Sequence, residues 1–257
     1  MQRLTDVLKS QIARFALAYD AATMLANGAW RLVVAFTVML YTLGIAFAQL
    51  GPNLVTNGSF ETPIIGSNNW GSNPATWFSG QTFGGWTVTQ GSVDIKRFGI
   101  PRMGAGPSYD GLQLVDLNGT PGVGGIRQDI TIADPGIYLL HFALSGNTLV
   151  DPNSPRIVRV QLSLGGTDAF NRTFTWRLSD HPSHHPENRP SWDVYQVDFL
   201  VPTAGIYTLS FTSLTTTNNG YGPFIDDVRL QLVPEPASLL ALGAGLAGLV
   251  GLRRRKH

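Results

Sequence analysis

Two seven-residue stretches of almost the same form decide the fold class: GIYLLHF at residues 136–142 and GIYTLSF at residues 205–211. Each stretch follows an apolar segment and a turn that contains proline, Pro135 in the first case and Pro202 in the second. Because the echo occurs only twice, it indicates two equivalent hairpins in a double-sheet structure and not a solenoid of many repeats.

Alternation of apolar and polar residues around these stretches indicates further strands. It is clearest at residues 126–132, 157–164 and 194–201. The composition agrees, because 29 Gly and 16 Pro together with only 14% charged residues are typical of a turn-rich β protein. No long helical periodicity occurs outside the two ends of the chain. The sequence therefore predicts an all-β domain, a single antiparallel β-sandwich of the jelly-roll type.

The basic residues of the chain are concentrated at its ends. Residues 49–233 contain 10 Lys and Arg against 14 Asp and Glu, although the whole chain has a formal net charge of +1. A central domain with net negative charge repels phosphate on average, so no nucleic-acid partner is expected. The chain has no cysteine, which excludes thiol catalysis and zinc sites with Cys ligands.

Residues 1–48 have the features of an N-terminal extension followed by a signal peptide. An apolar run over residues 32–48 follows Arg31 and closes with Ala-Phe-Ala, the small-x-small form that signal peptidase prefers. We expect a signal helix here and cleavage before Gln49. A long stretch precedes the run, so translation could start at Met24 instead of Met1. The alternative to cleavage is an uncleaved membrane anchor.

The last segment, residues 234–257, begins with Pro234, Glu235 and Pro236 and continues as an apolar run rich in Gly and Ala over residues 237–252. A transmembrane helix over this run could cross a thin bilayer. Its basic stop should remain on the cytoplasmic side, and it consists of Arg253, Arg254, Arg255 and Lys256. The two prolines end any helix that arrives from the domain, which leaves the tripeptide exposed at the outer surface of the membrane.

This order of tripeptide, apolar span and basic stop resembles the PEP-CTERM sorting signal of Gram-negative bacteria that make extracellular polysaccharide. The resemblance implies that a membrane-embedded, transpeptidase-like enzyme, exosortase, recognises and processes the tail. Exosortase and signal peptidase are thus the expected partners, and the C-terminal helix holds the protein in the membrane only before processing. The alternative is a plain C-terminal anchor with a coincidental Pro-Glu-Pro.

A series of short motifs runs through the central domain, residues 49–233. They are NGSFETP at 57–63, GW at 85–86, GSVD at 91–94, DGLQLVDLNG at 110–119, GN at 146–147 and GPFIDDV at 222–228. Taken together and in this order, they resemble the DUF642 proteins and their bacterial choice-of-anchor C relatives. The resemblance implies a galactose-binding-like jelly roll on a cell wall or cell surface, for which carbohydrate binding is the usual inference.

Acidic residues near the two ends of the domain form a candidate metal site. Glu61 lies near the first expected strand, and Asp226 and Asp227 lie near the end of the last one. Hard oxygen ligands of this kind suit Ca²⁺, and the carbohydrate-binding jelly rolls that the domain resembles hold a structural calcium at such a place. We expect Glu61 and Asp226 to be ligands, with Asp227 pointing to the opposite face as a strand neighbour. The alternative is capping and turn hydrogen bonds.

Aromatic residues are candidates for ligand contact. Trp70 and Trp77 lie in a segment rich in Gly, Ser and Asn, where a large ring has little core to join and could stack on a sugar. Tyr221 is a further candidate. In contrast, we expect Trp86 and Trp192 to belong to the core, because each adjoins an alternating strand.

No catalytic motif is present: the chain has no Gly-x-Ser-x-Gly elbow, phosphate-binding loop or HExxH helix. The histidine-rich segment HPSHHP at residues 181–186 is interrupted by proline, so we expect a solvated loop and not a metal site. The sequence therefore favours a non-catalytic carbohydrate-binding or matrix protein of a Gram-negative bacterium. It should pass through the inner membrane to the cell surface or extracellular matrix and meet extracellular polysaccharide there. The alternatives are a purely structural matrix protein and a glycan hydrolase.

Overall fold

The structure is a computed structural model that describes residues 49–66, 76–97, 108–148, 152–184, 191–216 and 220–234. The predicted signal helix, Trp70, the basic stop and the sorting tripeptide beyond Pro234 lie outside these residues. Within the described ranges, no helix has the length and apolar character needed to span a membrane. Residues 51–232 form one compact unit, which contains every strand of the described chain.

The described residues contain twelve strands. In chain order they are β1 (Thr76–Phe78), β2 (Thr82–Phe83), β3 (Trp86–Gln90), β4 (Ser92–Arg97), β5 (Gln113–Asp116), β6 (Gly125–Ile132), β7 (Gly136–Gly146), β8 (Arg156–Leu164), β9 (Thr167–Trp176), β10 (Asp193–Val201), β11 (Gly205–Ser213) and β12 (Pro223–Leu232). A short 3-10 helix, Leu178–Asp180, follows β9. Sheet A has the spatial order β1-β4-β5-β12-β7-β10, and sheet B has the order β2-β3-β6-β11-β8-β9.

The two six-stranded sheets are antiparallel and enclose a single main core, which confirms the predicted β-sandwich of the jelly-roll type. The three alternating segments are strands β6, β8 and β10. On β6 the side chains of Ile126, Ile130 and Ile132 are buried, while the intervening Arg127 and Asp129 are exposed. A period of two places successive side chains on opposite faces, so one face of each strand supplies the core.

The two echoing stretches are strands β7 and β11, but they are not parts of hairpins. β6 belongs to sheet B and β7 to sheet A, whereas β10 belongs to sheet A and β11 to sheet B. Each proline-containing turn therefore carries the chain from one sheet to the other. The two crossings run side by side, because β7 pairs with β10 and β6 pairs with β11. The hairpin prediction was wrong because a local echo does not specify which strands pair.

A tyrosine holds each crossing in place. The hydroxyl of Tyr138 donates to the carbonyl of Asp134 at 2.8 Å, and the hydroxyl of Tyr207 donates to the carbonyl of Thr203 at 2.9 Å. Both rings are buried between the sheets. Burial, followed by the nearby Asp134 carboxylate, raises the pKa of Tyr138. The shared Gly-Ile-Tyr form thus reflects a shared way of fixing the turn before each strand.

Replacing either tyrosine by phenylalanine should remove one buried hydrogen bond and leave the packing of the ring intact. We expect Tyr138→Phe and Tyr207→Phe each to lower the free energy of unfolding by about 1 kcal/mol. Urea unfolding of the single and double variants measures this. The two turns lie side by side, so the double variant shows whether the two losses add or are coupled. No change in either single variant would contradict the assigned role.

Candidate functional site

The outer face of sheet A carries a group of polar side chains that includes the buried Asp226 and Asp227. Tyr138, Leu140 and Phe142 of β7 point into the core, so the alternate residues His141 and Ala143 face outward. Their neighbours on β12 face outward with them, because Asp226 pairs with Ala143 and Arg229 pairs with His141. We use the name sheet A face for this outward side of β7, β10 and β12 together with the adjacent segment 108–112.

A β-bulge brings both consecutive aspartates to the sheet A face. The pairing of β12 with β7 shifts between Asp226 and Arg229, so that two residues lie where β7 has one. Asp227 has a positive φ of 49° at this point, and its carboxylate contacts outward-facing residues. The prediction that Asp227 points to the opposite face from Asp226 was therefore wrong. The bulge is a property of the pairing with β7, which the local sequence does not show.

Asp227 is the centre of a polar network on this face. Its Oδ2 lies 2.9 Å from His141 Nε2, and its Oδ1 accepts a hydrogen bond of 2.6 Å from Arg229 Nε. Burial opposes ionisation of Asp227, but the hydrogen bonds from His141 and Arg229 outweigh it and hold the pKa of that carboxyl below its usual value. Gln196 Nε2 lies 3.3 Å from His141 Nδ1 and extends the network to β10.

An aromatic cluster adjoins the network. The ring of Tyr109 lies 6.5 Å from His141 and 6.0 Å from Trp192, and Tyr109 is 42% exposed. Beneath it, Trp192 packs against the buried side chains of Leu114 and Phe224 in a small apolar cluster separate from the main core. The indole Nε1 of Trp192 is buried and has no hydrogen-bond partner in the described parts of the chain. The sheet A face therefore presents an exposed aromatic ring beside planar polar side chains.

Asp226 and Glu61 hold the segment that carries Tyr109. Asp226 Oδ2 accepts a hydrogen bond of 2.9 Å from the backbone amide of Asp110. Glu61 Oε1 accepts two bonds of 2.6 Å, from the amides of Leu112 and Gln113. Both carboxyl groups thus contact the same short segment, 110–113, through its backbone amides. These bonds match the capping alternative that the sequence left open.

Calcium binding by Glu61 and Asp226 stays a prediction. The described ranges contain no group of three or more His, Cys, Asp or Glu side chains that could hold a metal ion. Glu61 Oε1 and Asp226 Oδ2 are directed at amides in the bonds above, and Asp226 Oδ1 accepts from the amide of Asp227. Nothing in the described part of the chain supports calcium specifically.

The other predicted contact residues lie elsewhere. Trp77 is half-buried against the main core, with its ring 5.3 Å from Phe83. Tyr221 is half-buried just before β12. Ligand contact by Trp70, Trp77 or Tyr221 stays a prediction. Trp86 is fully buried in the main core, as expected. Trp192 is not part of that core, because the strand that follows it is at the edge of sheet A and the tryptophan turns to the outer face.

His181 and His184 do not form a solvated loop. The imidazole of His181 stacks on the buried ring of Trp176 at 5.0 Å, and that of His184 packs on it at 4.6 Å. His184 Nδ1 also accepts a hydrogen bond of 2.9 Å from the amide of Ser191. The spacing of the histidines along the chain could not show this packing, because it depends on the ring of Trp176, which lies on β9.

Sequence patterns missed Tyr109, His141, Gln196 and Arg229. These residues come from the 108–112 segment and three strands, and only pairing across sheet A brings them together. The nearest signal was DGLQLVDLNG at 110–119, which follows Tyr109 directly.

Fold and site together define an all-β sandwich that carries an exposed aromatic and polar face and a C-terminal sorting tail. Residues 53–231 match the family described as "Protein of unknown function (DUF642)", and residues 232–256 match the "PEP-CTERM protein-sorting motif". The chain therefore belongs to the DUF642 family, and both predicted resemblances are confirmed.

Among curated proteins, the chain is similar to halomucin of Haloquadratum walsbyi, with 29% identity over 219 residues. The match covers 81% of this chain but spans only 2% of the length of halomucin. Among solved structures, it is similar to TmCBM61 in complex with beta-1,4-galactotriose, with TM-score 0.42, 15% identity and coverage of 70% of this chain and 98% of that one. It is also similar to the CBM22-1 xylan-binding domain from Paenibacillus barcinonensis Xyn10C, with TM-score 0.41, 16% identity and coverage of 73% and 99%.

Proposed function

We propose that this protein is an exported, surface-sorted, non-catalytic glycan-binding protein that uses the sheet A face. The observation that carries the proposal is the exposed ring of Tyr109 next to Trp192 and the network of His141, Asp227 and Arg229. A flat ring suits the apolar face of a pyranose, and the charged and amide groups beside it suit its hydroxyls. The sorting tail supports delivery to a place where polysaccharide is abundant.

The backbone that follows Tyr109 is fixed by two acidic side chains. Asp226 and Glu61 bond to amides on the segment that follows the tyrosine, so its ring is held over β7 without needing a ligand to order it. Preorganisation of this kind lowers the entropic cost of binding. The bulge therefore has two effects: the carboxyl group of Asp226 holds the aromatic segment, and the carboxylate of Asp227 holds the polar network.

The experiment that tests this function is a binding survey of residues 49–234 with soluble polysaccharides. Neutral galactans, xylans and β-glucans and acidic uronate polymers would be compared by affinity electrophoresis, with and without calcium. Retardation by at least one polymer supports the proposal. A failure to bind any of them favours the purely structural matrix protein, and the release of reducing ends favours a hydrolase. Dependence of binding on calcium would support the predicted calcium site.

Delivery by the tail is tested separately. In a host with an exosortase, changing Pro234, Glu235 and Pro236 together to Ala should leave the protein in the inner membrane with its tail uncleaved, because the processing enzyme no longer recognises it. Fractionation and the mass of the C-terminal peptide measure this outcome. Normal processing and release of the triple variant would show that the tripeptide is not the sorting signal.

A further inference from the structure

Strand β10 forms a long free edge of sheet A. It pairs with β7 over its whole length, from Asp193 to Val201, and with no second strand among the described residues. The opposite edge of the same sheet is β1, which has only three residues. A nine-residue edge exposes a row of backbone donors and acceptors to which another chain can pair.

The sequence of β10, DVYQVDFLV, complements itself when it is reversed about its central residue, Val197. In an antiparallel pair centred there, Val194 faces Leu200 of the second copy and Gln196 faces Asp198. On the other side of the strand, Tyr195 faces Phe199 and Val197 faces itself. The inner pairs are thus apolar with apolar, amide with carboxylate, and aromatic with aromatic. The end pair, Asp193 with Val201, is not complementary.

The exposure of the β10 side chains indicates that a further strand could pair with this edge. Val194 is 44% exposed and Leu200 is 59% exposed, although both are large and apolar. The side chains that point inward, Tyr195, Val197 and Phe199, are only half-buried. In contrast, the inward side chains of the neighbouring β7 are fully buried or nearly so. A further strand beside β10 would cover the residues of both faces.

We propose that two copies of this chain pair through their β10 strands, antiparallel about Val197, to form one continuous twelve-stranded sheet. The two-fold axis of such a pair is perpendicular to the sheet, so both copies turn their sheet A face to the same side. If the sheet A face binds glycan as proposed above, the dimer presents two glycan sites to one polymer and binds long chains with higher avidity. This consequence rests on the proposed function. The pairing itself does not require glycan binding.

One feature of sheet B opposes the pairing at low ionic strength. Strand β9 lies next to β10, where Phe170 contacts Phe199 and Phe174 contacts Tyr195. Arg172 lies between these two contacts, opposite Val197, and the two-fold axis brings it towards Arg172 of the second copy. Its side chain is exposed and its guanidinium lies 5.6 Å from the Phe170 ring. Because salt screens like charges, we expect the dimer to strengthen as salt is added and in the variant Arg172→Ser.

The register can be tested directly because the chain has no cysteine of its own. Gln196→Cys and Asp198→Cys would be made separately in the full-length protein, held in mild detergent, and oxidised alone and as a mixture. Directly opposed strand residues lie within disulfide reach, whereas diagonal neighbours do not. We expect a strong linked dimer in the mixture and little in either variant alone. Ile206→Cys, which is also exposed but lies on sheet B, should not link to either one.

A pair of charged substitutions distinguishes loss of pairing from general destabilisation of the fold. Val194→Lys should convert the dimer to monomer in sedimentation equilibrium, since it places Lys opposite Leu200. Adding Leu200→Glu restores two complementary pairs and should restore the dimer. A wild-type protein that stays monomeric at all concentrations and salt levels would overturn the proposal. So would cross-linking that is as strong in the single variants as in the mixture. Neither result bears on whether a monomer binds glycan.

Discussion

Replacing Lys96 by methionine is expected to lower the free energy of unfolding by about 3 to 5 kcal/mol. The Nζ of Lys96 lies 2.7 Å from Oδ2 of Asp116, whose side chain is completely buried. Asp116 also accepts amide hydrogen bonds from Asn118 and Gly222 at 3.0 Å each. It therefore ties β5 to the segment before β12, and Lys96 is the one cation that pairs with it in the described ranges. Urea unfolding of the variant measures the loss.

Arg229→Met is the matched control for Lys96→Met. The Arg229 side chain is 47% exposed and pairs with the buried Asp227 at 2.6 Å. Asp227 keeps His141 as a second partner when Arg229 is lost, so this variant should lose about 1 to 2 kcal/mol, less than Lys96→Met. The double variant with Lys96→Met and Asp116→Asn should lose clearly less than the two single variants added together. Equal losses for the exposed and the buried cation would contradict the assigned importance of the buried pair.

Stability should also fall as the pH rises from about 4 to 8, because of Asp226. Burial raises the pKa of Asp226 to about 8, against the lowering effect of the amides of Asp110, Asp227 and Tyr109. The folded state then keeps a proton that the unfolded chain releases near its ordinary pKa. The stabilisation is fully present at acid pH and is lost as the pH rises through this range, by at most about 1.4 kcal/mol per pH unit.

Comparison with Asp226→Asn isolates this contribution, because the other titrating groups are unchanged. We expect the difference in unfolding free energy between the wild type and this variant to depend on pH between about 5 and 8. Asp134→Asn, which removes an exposed carboxylate, should leave the slope of the wild type intact. Parallel pH profiles for the wild type and Asp226→Asn would show that the three amides outweigh burial and keep Asp226 ionised.

Local sequence was sufficient for the elements and the fold class. The alternation in β6, β8 and β10 reflects the two faces of a strand directly, so it can be read without knowing the partners. The echo of β7 and β11 likewise marked a real equivalence, which Tyr138 and Tyr207 explain. What it could not give was the pairing, which depends on contacts between distant strands.

The candidate site was predicted only in part for the same reason. Glu61 and Asp226 were expected to lie near each other, and both bond to amides of the segment 110–113. The groups to which they bond were not predicted, because every residue except proline has a backbone amide and the sequence does not show which amides will be near. Trp192 was assigned to the core because hydrophobicity does not tell which face of an edge strand it occupies. Tyr109 carried no pattern at all, and only the fixed segment above β7 makes it prominent.

The central claim is that the sheet A face binds glycan through Tyr109, and one affinity measurement tests it most directly. The dissociation constant for a polysaccharide that retards the wild type would be measured for Tyr109→Ala and for Ile206→Ala, a control on sheet B that is 64% exposed. Loss of a stacking ring should weaken binding about tenfold or more, equivalent to at least about 1.4 kcal/mol. Both variants should keep the melting temperature of the wild type, because both side chains are exposed. Unchanged affinity in Tyr109→Ala, or an equal loss in Ile206→Ala, would contradict the assignment of the site to this face.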